Sequence, residues 1–139
     1  MDEFRYEIAV PVRFQDLDAV GHVNNAVYAT YLEEARISYT KDVLDLDAED
    51  SGAVIAHLEI DYHRPVREDT QVTVAVRTGE LGTSSVPMEY EIRDDDGVVA
   101  TAETVMVTVD YETGETRPIP ERWREQIETY EQRHRTRLD

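Results

Sequence analysis

Phe14 to Arg36 reads FQDLDAVGHVNNAVYATYLEEAR, which sets two carboxylates, a glycine, a histidine and two asparagines directly before a helix. Tyr28, Leu32, Ala35, Tyr39 and Val43 recur at spacings of four and three, so they share one helical stripe, with Glu33, Arg36 and Lys41 falling largely elsewhere. Asn24 and Asn25 are the candidate caps at the start of this helix, which is expected to end near Leu46. Gly21 permits a tight bend that a side chain would resist, so the chain can swing from a strand into the helix.

Upstream, Tyr6 to Phe14 reads as a strand running into a polar loop, Gln15 to Val23. Downstream the period changes to two. Val54, Ala56, Leu58, Ile60 and Tyr62 point one way, and His57, Glu59, Asp61 and His63 the other, which predicts a half-buried strand. Val72, Val74 and Val76 repeat the pattern, as do Val86, Met88, Tyr90 and Ile92, with Gly79 and Gly82 at the turn between them. Asp95-Asp96-Gly97 supplies a hairpin turn, and a last strand follows over Val98 to Tyr111. Glu121 to Arg133 reads as a short polar terminal helix that frays into Arg135-Thr136-Arg137. The chain is thus one α+β domain in which four antiparallel strands need a cover, and the long helix is the element that can provide it. A single small sheet leaves a strand edge open, and pairing two copies across a twofold axis would close it.

The 139 residues suffice for one core. No apolar run approaches the roughly 18 residues that span a bilayer, and Met1-Asp2-Glu3 is not the basic opening of a signal peptide, so a soluble cytoplasmic protein is expected. The absence of cysteine excludes disulfides, thiolate metal sites and a cysteine nucleophile. Asp and Glu number 31 against 14 Lys and Arg, a formal net charge of −17, and Lys41 is the single lysine. Such a coat repels itself until dense counterions screen it, which points to a salt-loving, halophilic host. It also makes nucleic acid an unsuitable partner, because neutralising phosphate requires clustered Lys and Arg.

Chemistry concentrates at the bend. Backbone amides at a helix start lack intrahelical partners and, with the helix dipole, favour negative charge, so an acyl oxygen could sit there. A carboxylate on the preceding loop would supply the attacking group or the base for water. Asp-x-Asp-x-x-Gly-His-Val-Asn-Asn, followed by an aromatic helix ending in Glu-Glu-Ala-Arg, resembles the signature of the 4-hydroxybenzoyl-CoA thioesterase branch of hotdog proteins. The strand order is similar over nearly the whole chain, as is the Tyr62-His63-Arg64-Pro65 step with Asp69 after it. The resemblance implies a hotdog fold, an antiparallel sheet wrapped around one long central helix. It implies acyl-CoA thioester hydrolysis with Asp18 as the catalytic carboxylate and the backbone near Asn25 polarising the carbonyl. It further implies dimers, often paired into tetramers, with sites at the dimer interface, no metal, and coenzyme A entering only as part of the substrate. His22 and Asn24-Asn25 stand where the aromatic-acyl prototype carries apolar and aromatic residues, which leaves the acyl group open.

Each residue also has a plainer reading. Asp18 can close a turn with its own backbone, and Asp16 reads as structural. Gly21, His22, Asn24 and Tyr28 are candidates to line the substrate site, while His22 also reads as a satisfied polar residue and Tyr28 as core. His63-Arg64-Pro65-Val66-Arg67 is a local concentration of positive charge. His63, Arg64 and Arg67 are therefore candidates for the nucleotide end of coenzyme A, against ion pairs with Glu68 or Asp69. Rival functions are thioester hydrolysis on acyl carrier protein and a non-catalytic acyl-CoA binding module.

Overall fold

The computed structural model of the chain describes residues 4–67 and 71–135. Five strands, β1 (Tyr6–Pro11), β2 (Ala53–Tyr62), β3 (Gln71–Thr78), β4 (Ser85–Asp94) and β5 (Gly97–Thr108), form one antiparallel sheet in the order β1-β3-β4-β5-β2. The long helix α1 (Val27–Leu44) packs across β3 and β1, and α2 (Glu121–Arg135) leans on α1 and β3. This is the hotdog arrangement that the sequence resembles.

Alternation sets which side of each strand is buried. Val72, Val74 and Val76 of β3, with Val86, Met88, Tyr90 and Ile92 of β4, all face α1 and are buried. They meet the α1 stripe of Tyr28, Tyr31, Leu32, Ala35 and Tyr39. Burying such a stripe contributes on the order of 1.5–3 kcal/mol per large side chain, which is what holds the helix on the sheet. Asp95-Asp96 turn the β4–β5 hairpin as expected, with the Asp94 carboxylate accepting the Asp96 N–H at 2.9 Å and Gly97 at φ 126°.

Several boundaries differ from the sequence reading. β1 stops at Pro11, and Phe14–Asp16 coil into a short 3-10 turn because the Asp16 carboxylate accepts the Arg13 N–H at 2.9 Å. α1 ends at Leu44 rather than near Leu46, since Asp45 takes a left-handed conformation (φ 54°) that breaks the helix. β2 is not half-buried. It is an outer strand, and a bulge between Ile55 and His57 breaks its period, so that Ile55 and Leu58, rather than Val54 and Leu58, face the α1 side. On the outer face, Glu59 stands opposite Glu103, which stands opposite Glu89, and Arg77 pairs with Glu89 at the end of the row. Like charges directly opposite one another repel, a strain that added salt relieves.

The terminal helix is more than a polar tail. Ile127 and Glu131 are buried against the sheet. The Glu131 carboxylate accepts the Tyr39 hydroxyl at 2.6 Å and the Thr78 N–H at 3.0 Å, anchoring α2 to both α1 and β3. Burial, and then the Glu131 charge, push the Tyr39 hydroxyl far above its ordinary pKa. Glu131→Ala would leave both donors buried without an acceptor, a loss expected to cost about 3 kcal/mol of unfolding free energy. Denaturant titration checks this, and a loss under about 1 kcal/mol would show that α2 is not anchored there. Residues 136–137 of the predicted frayed tail lie outside the described residues.

Candidate active site

The bend between β1 and α1 is a small closed structure. Leu17 and Val23 pair across it, and between them the Asp18 N–H donates to the His22 carbonyl at 2.7 Å and the Gly21 N–H to the Asp18 carbonyl at 3.1 Å. Gly21 sits at φ 81° with no atom near the position of a side chain, so its requirement is for backbone angle and not for space. One carboxylate oxygen of Asp18, Oδ1, accepts the N–H groups of Val20 at 3.0 Å and His22 at 3.1 Å. The turn-forming role expected of Asp18 is therefore present, yet it occupies only that oxygen. Oδ2 has no hydrogen-bond partner among the described residues, and Asp18 is exposed.

Asp16 turns inward. It is buried, and its Oδ2 accepts the Tyr31 hydroxyl at 2.8 Å as well as the Arg13 amide, the structural role its position suggests. Burial, then the bond to Asp16, raise the Tyr31 hydroxyl pKa, so Tyr31 stays protonated. The two motif carboxylates thus separate into one that holds the loop and one that faces out.

The helix start differs from the expected pair of asparagine caps. α1 begins at Val27, and its N-cap, Ala26, offers no side-chain cap. Asn24 does the work from two residues upstream, its Oδ1 accepting the Ala26 N–H at 2.8 Å and its carbonyl the Val27 N–H at 2.9 Å. Among the described residues the Asn25 side chain has no hydrogen-bond partner, and its N–H has no acceptor. Asn24 therefore consumes the two neighbouring donors and leaves the Asn25 amide free at the positive end of the helix. Asn24→Ala is expected to cost about 1 kcal/mol, read as a lower denaturation midpoint, while Asn25→Ala should cost a few tenths or less. Equal losses would refute the assignment of the cap to Asn24.

Tyr28 is core, 2% exposed, with its ring edge-on to Tyr62 at 4.9 Å. Tyr62 itself is half-exposed, and its hydroxyl donates to the Asn25 carbonyl at 2.8 Å, tying the end of β2 to the helix start. His22 enters through its backbone, which bonds Asp18 on one side and pairs with Arg67 on the other. That bridge brings the basic segment to the bend.

Within that segment, His63 contacts the Thr101 hydroxyl at 3.2 Å. The Arg64 guanidinium forms a fork with the Asp94 carboxylate and also donates to the Gly97 carbonyl at 3.3 Å. Its partner is thus the distant hairpin acid, and Glu68 and Asp69 lie outside the described residues. The fork holds the Asp94 carboxyl below the ordinary carboxylate range. Because that pKa is lowered on folding, the pair stabilises the native state at neutral pH and its contribution disappears as pH falls through the lowered value. Among the described residues His57, Glu59 and Glu103 also gather, exposed on the outer face, with candidate ligand atoms within 4.8 Å of one another. No helix there is long and apolar enough to cross a membrane.

Comparison with known proteins gives the chain a family. The Thioesterase-like superfamily profile matches residues 12–127. An uncharacterized Bacillus subtilis protein, YsmA, is 34% identical over 113 residues, covering 80% of this chain and 77% of its own. A 1,4-dihydroxy-2-naphthoyl-CoA hydrolase of Synechococcus elongatus is 30% identical over 126 residues, covering 84% of this chain and 90% of its own. A thioesterase from Thermus thermophilus, solved in complex with coenzyme A and Zn, superposes with a TM-score of 0.85 at 40% identity, covering 93% of this chain and 96% of that one. The family match spans the Asp18 bend, α1, strands β2 to β5 and the first half of α2, and the chain belongs to the thioesterase-like superfamily.

Proposed function

We propose that the chain hydrolyses acyl-CoA thioesters to free acid and coenzyme A at the Asp18 bend. The observation that carries this is the divided Asp18 carboxylate: one oxygen is fixed by two backbone amides and the other is exposed, on a loop that leads straight into a helix start whose Asn25 amide has no partner among the described residues. The fixed oxygen pre-orients the group, so little entropy is lost in aiming the other at a carbonyl carbon. A thioester oxygen against the Asn25 N–H would gain negative charge where the helix dipole favours it. Asp18 then either attacks the carbonyl carbon, expelling the thiolate and leaving an anhydride for water to open, or takes a proton from the water that attacks. Support for coenzyme A as the carrier comes from the cyanobacterial hydrolase and the Thermus complex.

Gly21, His22 and Asn24 build this site through their backbones and the Asn24 cap. The nucleotide end of coenzyme A would meet His63, Arg64 and Arg67, with Arg64 exchanging Asp94 for phosphate. Val54, Ile55, Leu58 and Tyr62 leave an apolar outer strand on β2, and a second copy paired along it would complete a homodimer. The test is release of free thiol from a panel of acyl-CoAs by the purified chain. Release above the buffer rate is expected for at least one acyl group, and none across short, long, branched and aromatic chains would leave a binding module as the better reading.

A further inference from the structure

Two hollows, of about 210 and 200 Å³, lie end to end between α1 and β2 and share Glu33, Arg36 and Ile55. Together they make one cleft. Its near end, at Ala29 and Leu58, adjoins the helix start, because Ala29 lies in the first turn of α1 and β2 is tied to Asn25 through Tyr62. An acyl group whose carbonyl rests on the Asn25 amide has this cleft as its path away from the site.

Near the helix start the walls are Ala29, Ile55 and Leu58 with the hydroxyls of Thr30 and Thr104, and partway along stand Glu33 and the Arg36 guanidinium. It donates to the Tyr90 hydroxyl at 3.2 Å, and Tyr90, itself buried, is held by Thr104 at 2.7 Å. Among the described residues no carboxylate forms an ion pair with Arg36, whereas Arg13, Arg64, Arg77, Arg93 and Arg124 each have one. Arg117 and Arg122 likewise hydrogen-bond carbonyls and not carboxylates, and what sets Arg36 apart is its place in the cleft. Its donors are oriented by Tyr90 and remain available to an incoming oxygen.

We infer that Arg36 is a specificity-determining residue that selects acyl groups ending in a carboxylate. Arg36 lies eleven residues past Asn25, about 16 Å along the helix axis, and its side chain leans back toward the helix start by roughly a turn. The guanidinium is therefore about 10–12 Å from the helix start, which an extended chain covers in about eight to ten bonds. The class is that of ω-carboxyacyl thioesters of medium length. This rests on the thioesterase reading above, and deepens it by naming the substrate.

The experiment compares decanoyl-CoA with its ω-carboxy counterpart in the parent, Arg36→Met and Arg36→Lys chains, each checked for fold by circular dichroism and for assembly by light scattering. The parent is expected to favour the ω-carboxy substrate by at least tenfold in kcat/KM. Arg36→Met should abolish that preference while leaving decanoyl-CoA hydrolysis nearly unchanged, and Arg36→Lys should retain part of it. Hydrolysis of both substrates with no preference in the parent overturns the inference and spares the thioesterase reading. Assembly lost in Arg36→Met with the preference intact overturns it as well, because the guanidinium then serves a second copy. Hydrolysis of neither substrate overturns it, and the acyl-CoA panel then decides whether the thioesterase reading falls with it.

Discussion

Asn25→Pro is expected to lower kcat for acyl-CoA hydrolysis by about 10²–10³-fold, the usual loss when one oxyanion donor is removed, while Asn25→Ala stays close to the parent. The contrast follows from the way the helix begins. Asn24 takes up the N–H groups of Ala26 and Val27, and the Asn25 amide is left facing out with no acceptor among the described residues. Alanine preserves that amide and deletes a side chain that takes no part in the cap, whereas proline deletes the donor itself. The loss should fall on kcat with KM little changed, because the charge that the amide stabilises develops only as the carbonyl is attacked. Circular dichroism and the denaturation midpoint establish that the Pro variant is folded. A folded Pro variant as active as the Ala variant would place the oxyanion donor elsewhere.

Much of the fold is legible in the residues. The stripe from Tyr28 to Val43, the alternating valines of β3 and the Val86 to Ile92 run each state one buried side, and the sheet and its covering helix follow from them. What escapes is set by single tertiary contacts. The bulge at Ile55 and His57 is invisible in an alternating pattern that looks unbroken, and it turns Ile55 toward α1, where it lines the cleft with Arg36. Glu131 reads as one more charge on a polar helix, and only the approach of Tyr39 and Thr78 makes it an anchor. Arg64 has acidic neighbours in sequence, yet pairs with Asp94, thirty residues away, because the β4–β5 hairpin brings that acid to it.

The bend was readable in kind but not in its division of labour. Spacing places Asp16, Asp18 and Gly21 before a helix, and the turn that Asp18 forms is the commonest fate of such a residue. Only the hydrogen bonds reveal that the turn engages Oδ1 and leaves Oδ2 exposed, and that Asp16 turns inward to Tyr31. The asparagines look equivalent in sequence. Their difference arises because Ala26, and not either Asn, is the N-cap, which gives Asn24 the capping role and Asn25 the free amide.

The exposed oxygen of Asp18 is where the account stands or falls. Asparagine keeps an oxygen for the Val20 and His22 amides, so Asp18→Asn should fold and assemble like the parent, yet it supplies neither a nucleophile nor a base. Its rate of coenzyme A release is expected to drop by about 10³-fold, within the range that a positioned base or nucleophile contributes. The decisive measurement is that rate at saturating acyl-CoA, parent against Asp18→Asn, on samples matched for fold and assembly. A drop of that size is the predicted result, and an unchanged rate would contradict the assignment of the chemistry to this bend.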